Sequence, residues 1–412
     1  MIEFDKFTLQ NGLRVLVHHD SSTPIASVNL LYNVGSRDEN PNRTGFAHLF
    51  EHLMFGGSVN IPSYDEPLER ASGENNAFTS NDITNYYITL PKDNLETAFW
   101  LESDRMLSLD FSQRSLDVQK SVVVEEFNQR YLNQPYGDVW LMLRPLAYKV
   151  HPYQWPTIGK DPRHIIDSNL DEVKDFFFSH YAPNNAILCV SGNVTTYEVK
   201  TLAEKWFGPI PGRDVKTRSL PREPKQSEQR VLEVSRRVPF NSIYMAFHMC
   251  NRMHPDYSST DLISDILSNG KSSRLFQSLV KDKELFSNID AYITGDMDEG
   301  LFVVAGRLNN NVQFDAAQDA IFQELNGLKK AVENNEIDKV KNRFESTFTF
   351  GLTNALEKAM NLCYFELLGD ASMVNQVVKE YRRVTAEDVM RVSKQIFSPE
   401  NCSVLLYKAE NL

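Results

Sequence analysis

The chain has 412 residues, 42% hydrophobic and 24% charged, enough apolar material for sizeable cores in more than one domain. A formal net charge of −12 excludes a charge-driven grip on nucleic acid phosphates, and no run approaches the ~20 apolar residues that a membrane-crossing helix needs. The four cysteines, Cys189, Cys250, Cys363 and Cys402, form no close pair and read as buried thiols rather than a disulfide framework.

The N-terminus, Met1 to Lys6, has no basic region followed by an apolar stretch. The sequence therefore reads as a soluble, cytoplasmic chain, or a periplasmic or organellar one if a leader has been removed. A hairpin pattern follows: Phe7-Thr8-Leu9 leads through Asn11-Gly12 into Leu13 to Val17, and Asn-Gly between apolar runs is a strong turn signal. The next strand is predicted over Ala26 to Val34, with Val28, Leu30 and Tyr32 alternating onto one face. A helix is predicted from Thr44 to Phe55, stopped by Gly56-Gly57. Tyr86 to Leu90 reads as a strand closed by Pro91. Asn94 to Leu107 and Ser115 to Leu132 read as amphipathic helices, and Ala186 to Val190 as a short buried strand.

Residues 209–228 carry Pro209, Pro211, Gly212, Pro221 and Pro224 among many charges, the composition of an extended linker. The second half then repeats the order of the first. A strand at Ser242 to Phe247 precedes a helix at Ser259 to Leu267, a strand follows at Phe302 to Ala305, helical patterns fill 312–333, 336–368 and 380–396, and a last strand runs from Ser403 to Leu406. The predicted division is an N-terminal domain over 1–212, a linker over 213–230 and a C-terminal domain over 231–412, two α+β domains from a distant duplication.

The segment Gly45 to Phe55 contains His-x-x-Glu-His. On a helix, His48 and His52 stand at i and i+4, on one face and about 6 Å apart along the axis. Two imidazoles so spaced can share one zinc ion at roughly 2.0–2.1 Å. Glu51 borders the same face and can reach a water on that ion without being a ligand, the position of a general base. A chance motif on a partly buried helix is the bland alternative. Leu49, Phe50, Leu53, Met54 and Phe55 bury the helix, however, and two histidines with a carboxylate in such surroundings need a reason that zinc provides. A catalytic zinc takes a third protein ligand and keeps one open position. Val122-Val123-Val124-Glu125-Glu126-Phe127 offers it: the two glutamates point about 100° apart, so one can face the metal, and composition does not choose between them.

The motif and its glutamate helix resemble the pitrilysin/insulinase family of inverted zincins. Asn11 to Val15, Val34 to Glu39, Asn76-Ala77-Phe78-Thr79, His151-Pro152-Tyr153, Tyr181 to Ala186 and Ser272-Ser273-Arg274-Leu275-Phe276 extend the likeness along the chain. The resemblance implies an α+β chain of two homologous α/β-sandwich domains of the pitrilysin/mitochondrial processing peptidase type, the second non-catalytic. It implies one Zn2+ per chain and hydrolysis of short or unfolded peptides. It places the third ligand at Glu126, and puts Gln119 where the family often has a supporting carboxylate two turns earlier. It makes Asn76, Ala77 and Phe78 part of an edge strand to which substrate adds. The family's substrate-binding Arg and Tyr fall at Val280 and Ser287, which cannot replace them. The expected partner is therefore a homologous subunit that supplies the pair in a heterodimer, with self-association as another use of the same surface. The rival reading is a catalytically silent scaffold or peptide-binding subunit of the same fold. The remaining histidines read as structural or surface residues, His151 and His164 among them.

Overall fold

The computed structural model describes residues 1–215 and 218–410, so residues 216–217 of the expected linker lie outside the described residues. Asn11-Gly12 turns the chain as its sequence predicts: β1 (Asp5–Thr8) pairs antiparallel with β2 (Arg14–His19). With β3 (Ile25–Tyr32), β4 (Glu74–Thr79), β5 (Thr84–Pro91) and β6 (Ala186–Gly192) they form a sheet in the order β1-β2-β6-β3-β5-β4. A second sheet, in the order β7-β11-β8-β10-β9, comprises β7 (Arg230–Arg236), β8 (Ser242–His248), β9 (Phe286–Ile293), β10 (Leu301–Leu308) and β11 (Cys402–Ala409).

Each sheet has one parallel pair, β2 with β6 and β7 with β11, and is otherwise antiparallel. With β1 set aside, both sheets run first, fifth, second, fourth, third in their own chain order. An identical non-sequential order in two halves is the mark of a duplicated unit, and it leaves β4 and β9 at equivalent edges.

The chain forms two compact units that do not follow chain order. One comprises Met1–Arg130, Trp155–Leu220 and Thr349–Gln376; the other comprises Tyr131–Gln154, Pro221–Phe348 and Val377–Leu412. The exchanged segments are helices that each sheet needs. Helix Ala355–Leu368, from the second half of the sequence, covers β3 and β6 with buried Ala359, Leu362 and Cys363. This cover explains why Ala26 through Tyr32 are all buried rather than alternating. Helix Val139–Ala147, from the first half, packs Val139, Leu143 and Ala147 against Ala246, Val303 and Leu405 of the second sheet.

The single helical pattern expected over 336–368 is two helices, Asn334–Gly351 and Ala355–Leu368, because Asn354 caps the second by accepting the Leu356 N–H. The 213–230 stretch has no strand among its described residues until Arg230, but it is pinned. Arg218 bonds Asp38 and the Asn33 carbonyl in the first unit. In the second, Glu223 accepts the backbone N–H groups of Lys149, Val150 and His151.

Candidate metal centre

Helix Phe46–Leu53 carries the His-x-x-Glu-His motif, and its entrance is built by residues outside the motif. The N-cap, Gly45, has φ of 95°, and a Cβ there would meet the Ile158 carbonyl oxygen at 2.7 Å, so the left-handed turn requires glycine. Glu39 replaces a side-chain cap: its two oxygens accept the N–H groups of Gly45 and Ala47, each at 2.9 Å. Trp155 Nε1 donates to the same carboxylate at 3.0 Å. Burial pushes the Glu39 carboxyl up to about 8, against the pull of these donors. His164 Nδ1 accepts the Thr44 N–H just before the turn, and Tyr86 Oη donates to the Phe50 carbonyl.

The third donor stands on helix Gln113–Phe127. Glu126 places Oε2 3.5 Å from His48 Nε2 and 3.3 Å from His52 Nε2. The two imidazoles stand nearly perpendicular, with centroids 4.9 Å apart. Among the described residues this is the one group of three or more histidine, cysteine or acidic side chains able to share an ion, with donor atoms within 4.8 Å of one another. The geometry fits zinc, since two ligands at 2.0–2.1 Å on a tetrahedral ion lie about 3.3–3.4 Å apart.

The electrostatics fit as well. Burial holds the His48 imidazole well below its ordinary range, and hence neutral, as a ligand must be. His52 bonding and the nearby His48 and Arg130 hold Glu126 below the usual carboxylate range, outweighing its partial burial. One feature departs from a finished site: His48 Nδ1 is buried without a hydrogen-bond partner, where a ligating histidine ordinarily donates its other N–H.

Glu51 is half-buried, three residues after His48 and one before His52. Glu125, the alternative that composition leaves open, is exposed and takes a hydrogen bond from Gln129 at 2.9 Å. Gln119, two turns before Glu126, sits beside Gly56, its Nε2 3.7 Å from where a Cβ would stand. Asn76, Ala77 and Phe78 lie on β4, at the edge of the first sheet and packed against the motif helix. Asn76 Oδ1 accepts the Ala77 N–H at 2.8 Å, and Phe78 is exposed.

The structure thus brings His48, His52 and Glu126 together and sets β4 beside their helix. His151 belongs to the second unit, where its Nδ1 accepts the Tyr153 N–H. Val280 lies in a π-helical turn and Ser287 on β9, where its hydroxyl bonds the Arg307 carbonyl. Sequence reasoning gave no role to Glu39 or Arg130. The i, i+4 spacing of Arg130 from Glu126 was a signal that could have found the latter.

Residues 14–159 match the family described as Insulinase (Peptidase family M16), and residues 167–344 match the one described as Peptidase M16 inactive domain. The zinc protease PqqE of Helicobacter pylori is 30% identical, over 98% of this chain and 92% of that protein. A solved protease structure from the same organism superposes with a TM-score of 0.93 at 30% identity, covering 99% of this chain and 100% of that one. A Pseudomonas fluorescens structure described as a peptidase M16 inactive domain shares the fold, with a TM-score of 0.88 at 17% identity over 100% of this chain and 98% of that one. The fold and the placement of the motif define a pitrilysin-type α+β chain of two domains. This chain belongs to the insulinase family of peptidases, in which its named relatives are zinc proteases. Among the described residues no helix is long and apolar enough to cross a membrane.

Proposed function

We infer that the protein is a zinc-dependent endopeptidase acting on short or unfolded peptides. The convergence of His48, His52 and Glu126 on one ion-sized space is the observation that carries this reading. In it the three side chains hold one zinc per chain, and Gln119 supports the site as a neutral amide. When bound, the ion supplies the positive charge that polarises a carbonyl and acidifies a water. Glu51 takes the proton of the attacking water and delivers it to the leaving amine. β4 offers its outer edge to the substrate backbone, with Asn76, Ala77 and Phe78 in contact. The Asn76 carboxamide, now on the Ala77 N–H, swings away when a substrate carbonyl takes that donor.

The domain boundaries proposed with this function are 1–212, with the metal centre, and 231–412, without catalytic residues, joined through 213–230. Val280 and Ser287 stand where the family's Arg and Tyr would and cannot replace them at the developing oxyanion, and loss of such a donor costs about 10²–10³ in rate. The isolated chain is accordingly weakly active or inactive, and a homologous subunit with an Arg/Tyr pair completes the site in a heterodimer. The test measures metal content and quenched-peptide hydrolysis for the chain alone, at rising concentration, and co-expressed with such a relative. One zinc per chain and turnover that rises with the partner support the proposal. Full activity of the pure chain would remove the partner, and absence of zinc and turnover in both would leave a silent scaffold.

A further inference from the structure

Helix Gln113–Phe127 does not end cleanly after the ligand candidate. It passes directly into a π-helical turn, Asn128–Leu132. Such turns are rare and often sit at functional sites, and residues four apart are neighbours on a helix surface. Arg130 stands four positions after Glu126. Its Nη1 lies 3.0 Å from Glu126 Oε1, while Glu126 Oε2 is the oxygen that faces both imidazoles. The two oxygens of one carboxylate are therefore divided between two tasks.

This division matters to an ion in the site. A glutamate can bind a metal through one oxygen or both, and the second mode uses a coordination position that a catalytic zinc must keep open. The Arg130 guanidinium, 3.0 Å from Oε1, gives that oxygen a charged partner of its own and opposes its turning toward the ion. An ion pair at i, i+4 on an exposed helix is worth only about 0.3–0.5 kcal/mol in stability, and 69% of the Arg130 side chain is exposed. Its consequence lies in the orientation of Glu126 rather than in the fold.

We propose that Arg130 is a positioning residue that holds Oε1 of Glu126 away from the metal, so that the carboxylate binds through Oε2 alone and one coordination position stays open. The proposal rests on the zinc-site reading above.

The experiment uses the full chain, stripped of metal and titrated with Co2+, whose visible bands are intense when four-coordinate and weaker when five-coordinate. Wild type, Arg130→Ala and Arg130→Lys are compared, with zinc affinity measured by competition. Arg130→Ala is expected to fold normally, to weaken the Co2+ bands as the second oxygen binds, and to bind zinc about tenfold less tightly. Arg130→Lys, which still offers one N–H to Oε1, is expected to keep the wild-type spectrum. An Arg130→Ala spectrum identical to wild type overturns the positioning role and leaves the zinc site standing. A wild-type chain that binds neither Co2+ nor Zn2+ overturns both.

Discussion

The carboxylate of Glu39 accepts the N–H of Ala47 at 2.9 Å, immediately before the first histidine of the motif. The same carboxylate holds Gly45, so one buried acid fixes the first turn of the helix that carries His48, Glu51 and His52.

That acid makes stability depend on pH. Burial raises the Glu39 carboxyl from its ordinary 4.5 to about 8, so in that window the folded chain keeps a proton that the unfolded chain has released. Its contribution is fully present below pH 4.5 and is lost as pH rises toward 8. Glu39→Gln cannot titrate. The stability of wild type relative to this variant should therefore fall as pH rises through the window, by at most about 1.4 kcal/mol per unit. Urea unfolding at several pH values checks this, and a difference independent of pH would contradict it.

The two adjacent glutamates should behave differently. Glu126→Gln removes a donor from the cluster and should lower zinc occupancy sharply. Glu125→Gln changes an exposed residue paired with Gln129 and should leave occupancy at the wild-type level. Metal analysis of both purified variants decides the matter; equal loss would mean that the cluster does not bind the ion through Glu126.

If peptides add to β4, their backbone must supply alternate donors and acceptors to its outer edge. A peptide N-methylated at alternate positions should then bind the Glu51→Gln variant much more weakly than its unmodified parent, by roughly 0.5–1.5 kcal/mol for each hydrogen bond lost. Equal affinities would remove strand addition at Asn76, Ala77 and Phe78.

The helix exchange predicts that the first half cannot fold by itself. A fragment ending at residue 212 lacks helix Ala355–Leu368, and so bares β3 and β6 where Leu362 and Cys363 are buried. Full burial of one large apolar side chain is worth about 1.5–3 kcal/mol, and several are lost against a total stability of about 5–15. The fragment should bind a hydrophobic dye and show no cooperative thermal transition. A sharp transition near that of the full chain would show that the exchange is dispensable.

Much of this was legible in the sequence where one local signal decides the outcome. Asn11-Gly12 marks its hairpin, and the spacing of His48 and His52 fixes their common face before any tertiary contact forms. The apolar run of β3 marked a strand, but its second covering layer comes from a helix more than 300 residues away, and no local pattern encodes that. Glu39 was illegible for the same reason. Its partners are backbone N–H groups and Trp155, and a backbone donor leaves no trace in residue type. Helix Val139–Ala147 was hidden by Pro145 within it. The break before Ala355 was lost because Asn354 reads as one polar residue in a long helical pattern until its side chain is seen to cap.

In the proposed function, Glu51 activates water at a zinc held by His48, His52 and Glu126. The most direct test is hydrolysis of a quenched peptide by zinc-loaded wild type and Glu51→Gln, each assayed with a co-expressed Arg/Tyr-bearing relative and with zinc content measured in parallel. Glu51→Gln should keep one zinc per chain while its turnover falls by about 10²–10⁴. A Glu51→Gln protein that loses its zinc, or that cleaves at the wild-type rate, would contradict it.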